Sequence, residues 1–295
     1  MLRVSEIRLP LDHSADALKN AVAKKLRISP KELVRFAVLK RGVDSRKRAA
    51  IVYVYIVDAV VADEATVLAR IGRDPHVTRA PDLEYKFVAQ APKRDFNRPV
   101  VIGAGPCGLF AALILAQSGF RPVILERGKV VRERTKDTWG LWRKSVLDPE
   151  SNVQFGEGGA GTFSDGKLYS QIKDPRHLGR KVLTEFVKAG APPEILTEAH
   201  PHIGTFRLVT MVESMRETIE ALGGEYRFRH RVADLELDER HGVRAVVLAD
   251  GSRIETDHVV LAPGHSARDV FEMLVARGVD VEAKPFSIGF RIEHP

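Results

Sequence analysis

The sequence predicts two modules in series: a small α+β domain over residues 1–90 and a larger three-layer α/β domain over 99–295 with an inserted β-meander. Three observations lead to this. A short apolar strand, a Gly-x-Gly-x-x-Gly turn, an apolar helix, a second strand and an acid follow one another between Pro99 and Glu126. The first 90 residues alternate strand and helix patterns in the order βαββαβ. Between the two, residues 91–98 (APKRDFNR) are polar and carry a proline, as a linker does. A chain of 295 residues also exceeds one ordinary domain. The charge divides at the same place. Residues 1–98 hold 20 Lys and Arg against 12 Asp and Glu, a net of +8, while 99–295 hold 26 against 27, a net of −1.

The elements of the first module follow from side-chain period. Residues 2–9 alternate as a strand does. Ser14 is placed to cap a helix running to about Leu26, with Ala17, Leu18, Ala21, Val22 and Leu26 at helical spacing. Residues 33–40 and 49–61 read as paired strands joined by the basic turn DSRKR at 44–48. A short helix over 63–71 and a final strand over 83–88 complete the order of a ferredoxin-like fold. That name describes shape alone, because the single cysteine, Cys107, cannot hold an iron–sulfur cluster. Tyr53 and Tyr55 share one strand face. Exposed, such aromatics stack bases; equally they cover a helix or dock on the second module, and docking is the preferred reading. The basic excess suits an anionic partner such as nucleic acid, although a solvated basic face accounts for it as well and is preferred.

In the second module each part of the 99–126 unit has a physical task. Residues 99–102 form a short buried strand. Gly103 permits a tight turn, Gly105 leaves room for a pyrophosphate beside the backbone, and Gly108 lets the helix pack on the strand. Pro106 suits the first helical turn, where its missing N–H has no partner to lose. The helix N-terminus presents N–H groups and partial positive charge to phosphates. Gly119 ends the helix, 122–125 is the second strand, and Glu126 stands 23 positions after Gly103, where a carboxylate takes ribose hydroxyls. This is the Rossmann-type signature for an adenine dinucleotide. Cys107 is either a thiol activated by the helix end or, preferred, a small residue at a crowded contact.

Three later features choose FAD over NAD. The segment FGEGGAGTFSDG at 155–166 packs five glycines into twelve residues and allows close backbone approach to a flat ring or a phosphate. Runs at 225–228, 231–237, 243–248 and 252–255, with Asp250-Gly251 as a hairpin turn, read as an antiparallel meander. The run TDHVVLAPG at 256–264 is a strand that ends in the small-residue turn Ala262-Pro263-Gly264 and returns the chain beneath the cofactor. With these motifs in hand, the chain resembles the glutathione-reductase-like FAD fold. NVQFGEGGAGTFSDGKL at 152–168, HIGT at 202–205, GHSARD at 264–269 and KPFSIGFRIEHP at 284–295 are similar to the bacterial FAD-dependent proteins labelled NAD(FAD)-utilising dehydrogenases. The resemblance implies an FAD-dependent oxidoreductase with NAD(P)H as electron donor, and names no substrate. By position it implies that Gly103, Ala104, Gly105, Pro106, Cys107, Gly108, Glu126 and Arg127 hold the ADP half. Val232 meets adenine through its backbone, and Gly158, Gly159, Gly161, Thr162, Ala262, Pro263 and Gly264 lie near the flavin or pyrophosphate. It also implies a later closing strand and helix, so the chain, ending at Pro295 after a strand in progress over 287–292, reads as a fragment.

Catalytic residues stay unassigned. Ser164, Asp165, Lys167, His202 and His265 are weighed as proton donors or flavin tuners, with a structural role preferred for each histidine. His200 and His202 lack companion ligands, so no metal site is expected, and no G-x-S-x-G elbow occurs. One cysteine excludes a redox dithiol within these residues. No apolar run is long enough to span a membrane, and the charged N-terminus does not read as a signal peptide, so a cytoplasmic protein is expected. The competing functional class is a flavin-dependent protein that acts on nucleic acid through its basic domain.

Overall fold

The structure is a computed structural model that describes all residues except 48–49, 170–171, 286–287, 290–291 and 293–295. Its contacts divide the chain into two compact units. One comprises Met1–Val88 with Gly161–Met215; the other comprises Ala89–Ala160 with Arg216–Pro295. The first division falls two residues before the stretch read as a linker. The sequence reading kept 99–295 together, whereas Gly161–Met215 groups with the N-terminal residues.

In the first unit the order is β1 (Leu2–Pro10), α1 (Ala15–Lys25), β2 (Leu33–Asp44), β3 (Val52–Val61), α2 (Glu64–Ile71) and β4 (Val77–Arg79). The strands form one antiparallel sheet in the order β2-β3-β1-β4. Ser14 occupies the N-cap of α1, and Asp63 caps α2 by accepting from the Thr66 N–H at 3.0 Å. Leu2, Val4, Val22, Leu26 and Val57 are fully buried between sheet and helices.

The last strand corrects the sequence reading. It lies at Val77–Arg79, and 83–88 carries no strand. The Ala80 N–H donates to Met1 O, and the next residue, Pro81, has no N–H to extend the ladder. The alternation in 83–88 serves a different contact: Tyr85 and Phe87 pack edge to face at 5.0 Å, and the Lys181 ammonium lies 5.4 and 5.3 Å from their ring centres. Lys181 belongs to α5 (Leu178–Lys188). The β2 edge is also covered. Arg41 pairs in parallel with Glu198, donating its N–H to Thr197 O and accepting from the Ala199 N–H, which blunts an otherwise open edge.

Tyr53 and Tyr55 turn out to cover a helix. Tyr55 is buried in the same apolar cluster as Leu18 and Val22 of α1, with Tyr53 packed against that cluster. The Tyr55 hydroxyl is 2.8 Å from His13 Nε2, and the Arg41 guanidinium lies over Tyr53. Tyr55 is thus spent in this unit's own core, and Tyr53 is half-buried beneath the Arg41 guanidinium.

The second unit holds a parallel sheet in the order β11-β5-β6-β7, from β5 (Val100–Ile102), β6 (Val123–Glu126), β7 (Glu225–Phe228) and β11 (Val259–Leu261). Helix α3 (Pro106–Gln117) follows β5 directly, and α4 (Val131–Lys144) follows β6. The helix α6 (Thr205–Ala221) leads into β7. The meander consists of β8 (Val232–Leu237), β9 (Val243–Leu248) and β10 (Arg253–Glu255), and α7 (Arg268–Ala276) is the last element among the described residues. The run at 225–228, read above as part of the meander, pairs instead with β6. A strand delivered by a helical crossover joins its sheet in parallel.

Three layers result. Val100, Ile102, Val123 and Leu125 pack with Val232, Leu235, Val246 and Leu248 of the meander. The alternate residue Val101 faces α3, where a Cβ on Gly108 would stand 3.4 Å from its methyl. Half of the strand expected over 287–292 (residues 287, 290 and 291) lies outside the described residues, and residues 288, 289 and 292 carry no strand. Among the described residues, no helix is long and apolar enough to cross a membrane.

Candidate dinucleotide and flavin site

The glycine turn is fixed by collisions that only glycine avoids. Gly103 has φ 101°, and a Cβ there would stand 2.3 Å from the Ala262 carbonyl oxygen. Its N–H donates to Leu125 O at 2.8 Å, and Ala262 donates to Ile102 O at 2.9 Å, so β5, β6 and the turn after β11 meet at one point. A Cβ on Gly108 would lie 1.8 Å from Gly103 O. Gly105 is the N-cap of α3 and Pro106 its first residue, so the helix starts with its N-terminus open to the turn.

The glycine-rich loop closes on this turn. The Gly158 N–H donates to Ala104 O at 2.8 Å. Gly159, at φ 61°, is so close that a Cβ on it would be 3.0 Å from both Gly105 Cα and Pro106 Cδ. Residues separated by more than fifty positions in sequence thus form one backbone-lined cradle of Gly103, Ala104, Gly105, Pro106, Gly158 and Gly159, with Ala262 behind it. Pro263 and Gly264 (φ 78°) follow Ala262 as the turn after β11. Gly161 and Thr162 fall in the other compact unit, where Thr162 is buried. Cys107 is exposed in the first turn of α3.

Glu126 ties the cradle together. It ends β6, is 5% exposed, and its two carboxylate oxygens accept three backbone N–H groups. Oε2 takes Ala104 at 2.8 Å, and Oε1 takes Gly128 at 2.8 Å and Gly156 at 2.9 Å. The acid therefore holds the phosphate-type turn and the glycine loop in register before any ligand is considered.

A second buried network, with no signature in the sequence, supports the loop from below. Arg134 of α4 is fully buried and donates to the carbonyls of Asn152, Val153 and Glu157, each at 2.7 Å. Burial draws its pKa down to about 10, against the opposing charges of Glu126 and Glu157, so it is a cation at neutral pH. Glu157, also fully buried, accepts from the Val131 N–H at 2.7 Å and from Arg216 Nε at 2.8 Å. Only an exposed-looking charge pattern on α4 precedes this in the sequence, so nothing there marks Arg134 as buried.

Beyond the ends of β6 and β7 a cavity of about 500 Å³ opens, lined among others by Arg127, Lys129, Glu150, Arg229, His230 and Arg231. Arg127 bridges Glu150 and Asp269 with contacts of 2.7 to 3.1 Å and lies 4.2 Å over the Phe155 ring. Val232, at the start of β8, is buried in the core shared by the meander and the parallel sheet, directly after the cavity-lining Arg231. Ligands of open parallel sheets lie beyond the carboxyl ends of the strands, where these residues stand.

Of the remaining candidates, Ser164, Asp165, Lys167 and His202 belong to the first unit, and His265 is exposed in the second, with Nδ1 at 2.7 Å from Ser266 Oγ. Among the described residues, no group of three or more His, Cys, Asp or Glu is placed to hold a metal ion.

Comparison with known proteins agrees with this geometry. Residues 97–279 match the pyridine nucleotide-disulphide oxidoreductase model, and residues 1–60 match a domain of unknown function, DUF8436. An uncharacterized protein of Clostridium beijerinckii is 40% identical over 294 residues, covering 100% of this chain and 54% of its own length. The chain therefore spans about half the length of that relative. Among solved structures, Thermovibrio ammonificans THI4 aligns with a TM-score of 0.43 at 20% identity, over 62% of this chain and 64% of its own. The L-amino acid deaminase from Proteus vulgaris aligns with a TM-score of 0.42 at 17% identity, over 66% and 54%. With the family model spanning the whole cradle, the chain belongs to the pyridine nucleotide-disulphide oxidoreductase family, and its cofactor is FAD.

Proposed function

We propose that the protein is a FAD-dependent oxidoreductase that takes electrons from NAD(P)H and delivers them to a small-molecule acceptor. One observation carries this reading: the turn at 103–106 and the loop at 156–159 meet as a glycine-rich cradle at the N-terminus of α3, pinned by Glu126. Neighbouring atoms close off the Cβ positions of Gly103 and Gly159, and a glycine-rich wall suits a pyrophosphate and a flat ring, both of which need close backbone approach.

FAD supplies the redox chemistry when bound; the chain's own groups position and insulate it. The open N–H groups and dipole of α3 face the negative pyrophosphate. A carboxylate has about four acceptor sites, and three of those on Glu126 are taken by backbone. The fourth, on Oε2, accepts a ribose hydroxyl, while the same charge repels a 2′-phosphate. The cavity beside Arg127 and Arg231 receives the adenine, with the Arg127 guanidinium already held flat by Glu150 and Asp269. Cys107 has no second cysteine in these residues, so electrons do not pass through a dithiol here.

The test is to purify the protein, release its cofactor by heat, and identify it by chromatography. FAD is expected. Anaerobic addition of NADH and of NADPH is then expected to bleach the flavin bands, with one reductant faster. A colourless protein, or a flavin that neither reductant bleaches, would overturn the reading.

A further inference from the structure

The first unit carries a polar face that the cradle does not use. Residues 166–168 run antiparallel to 201–203: the Leu168 N–H donates to Pro201 O at 2.9 Å, the Ile203 N–H to Gly166 O at 3.1 Å, and Lys167 stands opposite His202. Directly opposed residues share a face, and faces alternate along an extended chain. Burial follows that rule. Gly166, Pro201 and Ile203 are buried, while Lys167, Tyr169, His200 and His202 are exposed. The rings of Tyr169 and His200 meet edge to face at 5.1 Å, which puts the next rung on the same side as Lys167 and His202.

The ladder is held firmly. Thr205, the first residue of α6, donates its hydroxyl to Ser164 O at 2.8 Å, and the Gly204 N–H donates to Asp165 O at 2.9 Å. A Cβ on Gly166 would stand 3.2 Å from both Ile203 and Leu208 side chains, so the ladder lies flat on its support. The polar ends are nevertheless unspent. Tyr169 has no hydrogen bond among the described residues, and neither imidazole has one. The Lys167 ammonium forms an exposed ion pair with the Asp165 carboxylate at 3.6 Å, too long for a hydrogen bond, so its N–H donors stay open. One rigid face thus presents an ammonium with three donors, two imidazoles with at least one donor N–H each, and a phenol O–H.

We propose that this face binds an oxyanion: the carboxylate of an organic-acid substrate or the phosphate of a nucleotide donor. An array of donors from four side chains, one of them a permanent cation, matches an acceptor-only group with two or three oxygens. The inference rests on the oxidoreductase reading only for which reaction the anion belongs to; the binding itself is independent of flavin chemistry.

Inorganic phosphate and oxalate, each titrated at constant ionic strength into the flavin-loaded protein, give the test by NMR of the histidine side chains. The resonances of His200 and His202, assigned with His200→Gln and His202→Gln, are expected to shift saturably, while those of His76 and His241 stay in place. Lys167→Ala is expected to weaken binding about fivefold, as for one exposed charge-assisted contact, and Lys167→Arg to retain it. Saturation by phosphate alone assigns the face to a nucleotide phosphate, and by oxalate alone to a carboxylate. Non-saturating shifts, equal shifts at every histidine, or unchanged binding in Lys167→Ala would overturn the proposal. Flavin absorbance recorded on the same samples separates this outcome from failure of the oxidoreductase reading, because the anion response stands or falls whether or not NAD(P)H bleaches the flavin.

Discussion

Glu126 shows how one residue serves structure and ligand together. It replaces three water contacts with three charge-assisted backbone bonds, and hydrogen bonds to charged groups contribute about 1.5–3 kcal/mol each. Glu126→Gln keeps the shape but offers one acceptor oxygen for N–H groups on two sides. It is expected to lower the stability of the apo-protein by about 3 kcal/mol and to loosen FAD together with it. Urea unfolding with and without added FAD checks this; loss of FAD at unchanged apo stability would show that the ribose contact alone matters. Arg134 lies deeper in the same support. Arg134→Met removes the donor to three buried carbonyls and the cation beside Glu126 and Glu157, an expected cost of about 3–5 kcal/mol. The opposite sign is expected at Tyr226, whose buried hydroxyl has no partner among the described residues while its ring stacks on Phe228 at 5.6 Å. Tyr226→Phe is expected to leave stability unchanged or raise it by about 1 kcal/mol, measured by the same unfolding curves. The positions of Gly103, Gly108 and Glu126 were legible because their signal is local, within one strand–turn–helix–strand unit. Arg134 was not, because a charged residue on a helix shows the same letters whether its guanidinium meets water or three carbonyls.

At the scale of elements, glycine identity has two meanings in two helices. In α3, a methyl on Gly108 would lie 1.8 Å from Gly103 O and would force the helix off β5. In α4, the nearest atom to a methyl on Gly140 is 3.9 Å away. Gly108→Ala is therefore expected to abolish FAD retention and destabilise the protein by several kcal/mol. Gly140→Ala is expected to stabilise it by about 0.5–1 kcal/mol, since alanine is the better helix former. Thermal unfolding of the two variants checks both; a neutral Gly108→Ala would mean that α3 does not sit where the strand–helix contact requires. The same scale explains which elements were legible. The helix over 64–71 carries a side-chain cap and an amphipathic period, and the apolar helix over 106–117 carries Gly105 and Pro106 at its start and Gly119 past its end, all written in neighbouring residues. The run 83–88 has the alternation of a strand, yet its aromatics serve Lys181, a partner 94 and more positions later that no local pattern announces. β7 was recognised as a strand, but its sheet was not, because parallel pairing is decided by the helix that delivers it.

Over the whole molecule the charges make the acid limb of stability predictable. The net charge is +7 at pH 7, and each protonated carboxylate adds to it, which raises self-repulsion. Several carboxylates are held below their ordinary values. For Asp269 and Asp148 burial pushes upward, but the contacts of Arg127 and Lys129 outweigh it; for Glu225 and Asp234 the hydrogen bonds of Arg227 and Arg277 dominate. A carboxylate with a depressed folded-state pKa binds its proton more readily in the unfolded chain. Its contribution is fully present above the unfolded pKa of about 4 and is lost as pH falls through the lower folded value. All of these pairs are partly exposed, so each contributes little alone, and the effect comes from their number acting in one direction with the rising charge. The thermal midpoint is expected to stay level between about pH 8 and pH 5.5 and to fall steeply below about pH 4. High salt is expected to reduce the part due to self-repulsion, because exposed charges are screened within about 10 Å at 0.1 M. Scanning calorimetry across that range decides it: a midpoint that rises on acidification from pH 5 to pH 3 would mean that these ion pairs do not hold the folded state, and that the carboxylates are worth more protonated than paired.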